Sequence, residues 1–194
     1  MKRVIFLFIF LSSLYVSAQE KLSFDLIFKG KSIGVLDAEM REIDGLKQYN
    51  SHTKIDYHFL IRIDLEYKYE VFYSEHGLKE ADVDIFVHGK EKTKTRTIKN
   101  TSNYKFYLDE KKPTSISDSI DYSTILLLFK EPKGINKVYA EEHGEFHDLK
   151  YLGDGKYEKT NPKGKVSTYF YKNGRMVRAK VDAGIISFSL KATN

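Results

Sequence analysis

Two histidines four residues apart, His143 and His147, stand among the acids Glu141, Glu142 and Glu145. Two imidazoles and a carboxyl group can ligate a divalent ion if they converge on one point. On one continuous strand His143, Glu145 and His147 would share a face, because strand side chains alternate with a period of two. Gly144 interrupts that alignment, since it reads as a hairpin turn. Solvated His and Glu on a wet strand face explain the pattern equally simply, and that is the preferred reading. His143, Glu145 and His147 are therefore only weak metal candidates, and no cofactor is expected. No catalytic residue is assigned either. The chain holds no Gly-x-Ser-x-Gly, no His-Glu-x-x-His and no P-loop. His52 and His58 fall on a polar strand face, and Asp82 and Asp84 sit side by side facing water. With Cys 0, disulfides, thiolate metal sites and cysteine catalysis are excluded.

A second constellation is basic. Lys90, Lys92, Lys94 and Arg96 alternate with Thr93, Thr95 and Thr97, which puts the cations on one strand face. Such a ladder could meet anionic lipid phosphates. An edge strand kept soluble by charge is the simpler explanation.

A third constellation is aromatic. From residue 49 to 73 the odd positions are mostly apolar and the even ones mostly polar. Tyr57, Phe59, Tyr67, Tyr69 and Tyr73 thus share a face that lines a ligand cavity or forms a closed core. A buried Tyr hydroxyl wants a partner, so a Tyr-rich interior is often partly wet. A single strand over this stretch would run about 80 Å, far beyond ordinary strands. The chain must break or bend near residues 59–61, and a bent strand between two parts of a curved sheet would serve.

The elements that must carry these residues follow from the same alternation. Strands are expected over 22–28, 32–43, 104–108, 137–142, 145–152, 156–160, 166–172, 175–182 and 185–191, with others around 81–87 and 93–97. Turn signals such as Asp44-Gly45 and Asn173-Gly174 separate them. Residues 120–130 break the pattern and read as a helix, with Asp118 and Asp121 near its start and Pro132 and Gly134 beyond its end. Its run Ile125-Leu126-Leu127-Leu128-Phe129 is apolar all round, so it must be buried on most sides. The expected fold is mainly β with one helix: a curved antiparallel sheet or half-barrel wrapping that helix. Leu126 and Phe129 join the aromatic residues as candidates for lining a pocket.

Composition and address narrow the role. The 194 residues are 41% hydrophobic and 30% charged, a globular mixture, and 14% aromatic with Pro only 3. Lys2 and Arg3, an apolar run and then Val16-Ser17-Ala18 read as a signal peptide over residues 1–18, cleaved between Ala18 and Gln19. Residues 19–194 are then one β-rich domain. Losing Lys2 and Arg3 lowers the formal charge from +5 to +3, which gives no global support for nucleic-acid binding. No later stretch is long and apolar enough for a spanning helix. Export without cysteine suits a bacterial envelope: periplasm, outer-membrane periphery or outside the cell.

Several runs carry a family resemblance. They are Ile33-Gly34, Phe129-Lys130-Glu131-Pro132, Val138-Tyr139-Ala140-Glu141-Glu142-His143-Gly144, Gly155-Lys156-Tyr157, Pro162-Lys163-Gly164 and Tyr169-Phe170-Tyr171-Lys172-Asn173-Gly174. Together they resemble a family of secreted bacterial proteins of unknown function common in Bacteroidetes. The layout is more distantly similar to half-barrel envelope proteins that cup a helix, the lipoprotein carriers among them. That likeness implies architecture first, and apolar-ligand binding by analogy. The expected function is a non-catalytic envelope module binding a lipid or other apolar small molecule in the concave face. The alternative is a structural or protein-interaction domain of the envelope. A hydrolase or metalloprotein is the weakest reading.

Overall fold

The computed structural model describes residues 19–58, 62–182 and 187–193. Hairpin follows hairpin through β1 (Gln19–Phe28), β2 (Lys31–Ile43), β3 (Leu46–His58), β4 (Arg62–Ser74), β5 (Gly77–Val87), β6 (Lys90–Lys99), β7 (Tyr104–Leu108) and β8 (Thr114–Ile116). After a short helix, α1 (Leu126–Phe129), a second run comprises β9 (Lys137–Ala140), β10 (Glu145–Gly153), β11 (Lys156–Thr160), β12 (Val166–Lys172), β13 (Arg175–Asp182) and β14 (Ser187–Ala192). Pairing of β1 with β14, Phe24 opposite Ala192 and Leu26 opposite Leu190, welds the two runs together. The result is a 14-stranded antiparallel sheet, ordered β8-β7-β6-β5-β4-β3-β2-β1-β14-β13-β12-β11-β10-β9. Turn chemistry supports the hairpins. Asn173 and Gly174, for example, take φ of 53° and 80°, as a tight two-residue turn between right-twisted strands requires.

The sheet curls without closing, because β8 and β9 do not pair. Instead β9 lies over the inner face of β6. The Tyr139 hydroxyl and Thr97 Oγ1 are 2.8 Å apart, and Thr95 Oγ1 donates to the Glu141 carbonyl at 3.0 Å. Thr95 and Thr97 are fully buried, so the threonine face of the basic ladder points inward. Its cations point outward, and β7 covers β6 only from Thr95 to Lys99, so among the described residues Lys90 and Lys92 have a neighbouring strand on the β5 side alone. Lys94 pairs with Asp84 at 3.3 Å, and Arg96 pairs with Glu80 and with Asp82 at 3.6 Å. The edge-strand expectation therefore fits Lys90 and Lys92, while acids on β5 pair with Lys94 and Arg96 further along the strand.

The expected break in the long alternating stretch falls where anticipated but takes another form. β3 and β4 are antiparallel partners with His58 opposite Arg62, so the chain reverses rather than bending onward. Backbone partners are then satisfied within one hairpin, which a lone long strand could not achieve.

The helix is shorter than residues 120–130. Ile120 and Tyr122 are buried while Asp121 is exposed, an alternation that belongs to extended chain. Residues 120–124 cross the bowl from wall to wall. Leu78 N–H donates to the Ile120 carbonyl at 2.9 Å, and Tyr139 N–H donates to the Tyr122 carbonyl at 3.0 Å. Only the apolar run after them is helical, and Leu126, Leu127 and Leu128 are buried. A helix end buried in apolar surroundings needs partners for its free backbone groups. The Tyr171 hydroxyl donates to the Leu127 carbonyl at 2.6 Å, and the Tyr122 hydroxyl to the carbonyls of Leu126 and Lys130. At the other end the Glu141 carboxyl group accepts from the Thr124 and Ile125 amides, each at 3.1 Å, and from the Thr124 hydroxyl. Asp118 and Asp121 do not cap α1. Asp121 accepts instead from Ser119 Oγ, outside the helix.

Candidate functional site

Between α1 and the concave wall lies a cavity of about 290 Å³. Its floor is apolar: Leu36 from β2, Leu190 and Phe188 from β14, and Ile125 and Leu128 from the helical turn. These residues face inward for the reason the strands exist at all, since one side of each alternating segment must leave water. Across the strand pairs the lining turns polar, with Thr53 opposite Leu36 and Tyr67 opposite Thr53. Ser51 and Thr53 of β3, Tyr67 and Tyr69 of β4 and Ser167 of β12 contribute hydroxyls.

At one end the lining becomes basic, and strand register explains how. Lys159 stands opposite both Leu149 of β10 and Ser167 of β12, and the Ser167 hydroxyl accepts from the Asp182 amide at 3.2 Å. Tyr157, Leu149 and Ser167 are buried on this inner side, so Lys159, in phase with Tyr157, shares it. The loop after β11 adds Lys163 and Lys165. Asn161 Oδ1 accepts from the amides of both lysines, at 3.0 and 2.9 Å, which fixes the loop's shape. Among the described residues, none of the three lysines forms an ion pair.

Of the residues predicted to line a pocket, Tyr67 and Tyr69 do so. Tyr69 OH donates to Glu142 Oε2 at 3.3 Å. Burial, with the nearby Glu142, pushes the Tyr67 hydroxyl up to about 12 and the Tyr69 hydroxyl well above its usual value, so both remain donors at neutral pH. The others fall elsewhere. Tyr57 packs edge-on against Phe28, with ring centres 5.4 Å apart. Tyr73 sits in the core, 6.0 Å from Tyr49, and Phe129 meets the same Tyr49 ring at 5.1 Å. Leu126 belongs to the buried cluster rather than the cavity wall. Phe59 lies outside the described residues, as does Ala18. Gln19 is the first residue of β1.

His143 and His147 also border the cavity, their rings 6.0 Å apart. They do not share a carboxyl group. His143 Nε2 is 3.9 Å from Glu142, and His147 Nε2 is 3.3 Å from Glu145. The turn at Gly144 divides them. Among the described residues no three His, Cys, Asp or Glu side chains are grouped to hold a metal ion. His147 is only 4% exposed at its side chain, and its Nδ1 is buried without a partner. Burial, then the Lys159 charge, pull its pKa down to about 4 against the opposing pull of Glu145, so the ring is neutral at pH 7.

A testable consequence follows for stability. The unfolded chain takes up this proton near pH 6.5, whereas the folded chain takes it up only near pH 4. Stability from this group is therefore complete above pH 6.5 and drains away as pH falls toward 4. The loss amounts to about 3 kcal/mol. Denaturant unfolding of the wild type and His147→Gln between pH 7.5 and 4 should show the variant with the shallower acid decline. Parallel pH profiles would remove His147 as the cause.

Lys159, Lys163 and Lys165 border the cavity without having been singled out in the sequence, where Ile125, Leu128 and Glu142 figure only in the apolar run and the acidic cluster. Lys159 alone carried a signal, since it continues the inward phase of Tyr157. Lysines 163 and 165 in a polar turn look like any solvated turn.

Taken together, fold and cavity define a barrel-like open antiparallel sheet enclosing a hollow that is apolar at its floor and basic at one end. The chain belongs to the family described as a domain of unknown function, DUF6134, whose model matches residues 24–193. Among solved structures it is similar to the beta-barrel-like protein of domain of unknown function DUF1849 from Brucella abortus. That match has a TM-score of 0.57 at 11% identity, covering 90% of this chain and 95% of the other. The likeness is one of fold. No curated protein matches the chain.

Proposed function

We propose that this protein is a non-catalytic binding module that takes an apolar or amphipathic small molecule, such as a lipid chain, into the cavity between α1 and the sheet. The supporting observation is the cavity itself. A helix that merely completed a core would have filled the concave face, yet about 290 Å³ stays open beside Leu36, Leu128 and Leu190. Covering ligand carbon there is favourable by about 25 cal/mol per Å². Residues 1–18, read as a signal peptide, would deliver the module to the bacterial envelope. N-terminal sequencing of the mature protein should then begin at Gln19.

Native mass spectrometry of the protein purified from its own envelope tests the reading directly. A co-purifying lipid mass is the expected result. Thr53→Phe, which would fill the hollow from β3, should abolish that adduct while leaving the melting temperature within a few degrees. An adduct that survives Thr53→Phe would place the ligand elsewhere. A second reading, an interaction domain of the envelope, draws on the β10 end, where Tyr151 is 57% and Leu152 38% exposed. A ligand-free protein that captures a partner through Tyr151 would favour it.

A further inference from the structure

Building on that reading, we infer that the ligand is a single-chain amphiphile whose anionic headgroup is held by Lys159, Lys163 and Lys165 at the basic end of the cavity. Lys159 is the first reason. It faces the concave side on a half-buried strand, and no ion pair balances it among the described residues. A cation turned away from bulk water is costly unless something anionic meets it. Lys163 and Lys165 are the second. Asn161 ties their backbone amides into a fixed loop, so both side chains emerge at the same end. His147 is the third. It borders the same cavity, and its buried Nδ1 is an unused hydrogen-bonding position.

Glu142 and Asp182 also line the cavity, so its three lysines leave a formal excess of one positive charge. Glu142 is engaged by the Tyr69 hydroxyl and faces His143, and Asp182 is itself engaged. One inward step along the strands from Lys159 comes the row of Tyr157, Tyr169, Ala179 and Leu190, and with Leu36 and Leu128 it offers the apolar lining where a hydrocarbon tail would go. Size limits the tail. A hollow of about 290 Å³ sits at the bottom of the usual range of roughly 300–1,000 Å³ for small-molecule sites. One chain fits that space better than a multiply acylated lipid does.

Calorimetric titration of the delipidated protein with dodecanoate, dodecyl phosphate and dodecanol tests the inference. At least one of the two anions should bind at least about tenfold tighter than the alcohol. The double variant Lys163→Gln/Lys165→Gln, both in an exposed loop, should lose about tenfold for the anions and little for dodecanol. Lys159→Gln should do the same, with thermal melts confirming that it folds. A preference for the phosphate would point to a lysophospholipid-type headgroup, and a preference for dodecanoate to a free fatty acid. Equal affinity for anions and alcohol, or anion affinity indifferent to all three lysines, would overturn the headgroup assignment and leave the cavity reading intact. No binding of any of the three by folded protein would overturn both.

Discussion

Glu141→Ala should be among the most damaging single substitutions in this protein, with a loss of about 2–6 kcal/mol. Glu141 is 1% exposed, and its carboxyl oxygens accept from the Thr124 amide, the Ile125 amide and the Thr124 hydroxyl. Truncation leaves the Ile125 amide and the Thr124 hydroxyl without their acceptor at the buried entry to α1, while the Thr124 amide keeps the Tyr139 carbonyl at 2.9 Å. Each orphaned donor costs about 1–3 kcal/mol. Glu141→Gln keeps one acceptor oxygen and turns an NH₂ toward the remaining donors, so its loss should lie between wild type and Ala. Urea unfolding at constant pH checks both. A loss below about 1 kcal/mol for Glu141→Ala would mean that other groups or water replace the carboxyl group.

Gly144→Val should be comparably severe, with a loss of about 2–5 kcal/mol, for reasons of shape alone. Gly144 has φ of 68°, and a Cβ built there would run into the ring of Phe106 on β7. Left-handed backbone costs an L-residue about 1–2 kcal/mol. Crowding a packed aromatic adds roughly 1–3 kcal/mol more. The turn lies where β9 and β10 press against the inner wall, so the ring has little room to retreat. Pairing the change with Phe106→Ala separates the two contributions. The double variant should recover the crowding part and retain the backbone part. If Gly144→Val were no less stable than wild type, the seating of this turn on Phe106 would be wrong.

Much of the wall was legible in the residues. Strand alternation located the hairpins because burial on one side of a strand is a local, period-two property, and turn residues such as Asn173-Gly174 punctuate it. The helix was over-read by about one turn and a half. Its apolar run is helical in any reading, but Ile120 and Tyr122 were already spaced as in extended chain, and what holds them extended is β9, which arrives much later in the sequence. The cavity was half legible. The tyrosines of β4 share a face, yet a thirteen-residue strand passes from one zone of the bowl to another. Tyr67 and Tyr69 therefore meet the hollow while Tyr73 is sealed in the core. The Glu141 cap and the basic end could not be read from spacing. Both depend on contacts between segments that only the rolled sheet brings together.

In a closed barrel, strand number and stagger set the diameter through an unbroken ring of backbone hydrogen bonds. Here the ring is replaced by a lap joint. Its described fasteners on β6 are the Thr97–Tyr139 hydroxyl pair and the Thr95 bond to the Glu141 carbonyl, supplemented by the Leu78–Ile120 bond to the crossing chain. Dilating the interior strains those few links and leaves every ladder from β8 round to β9 untouched. The width of the bowl is thus set at this seam by a handful of side-chain and crossing-chain bonds and by no strand ladder.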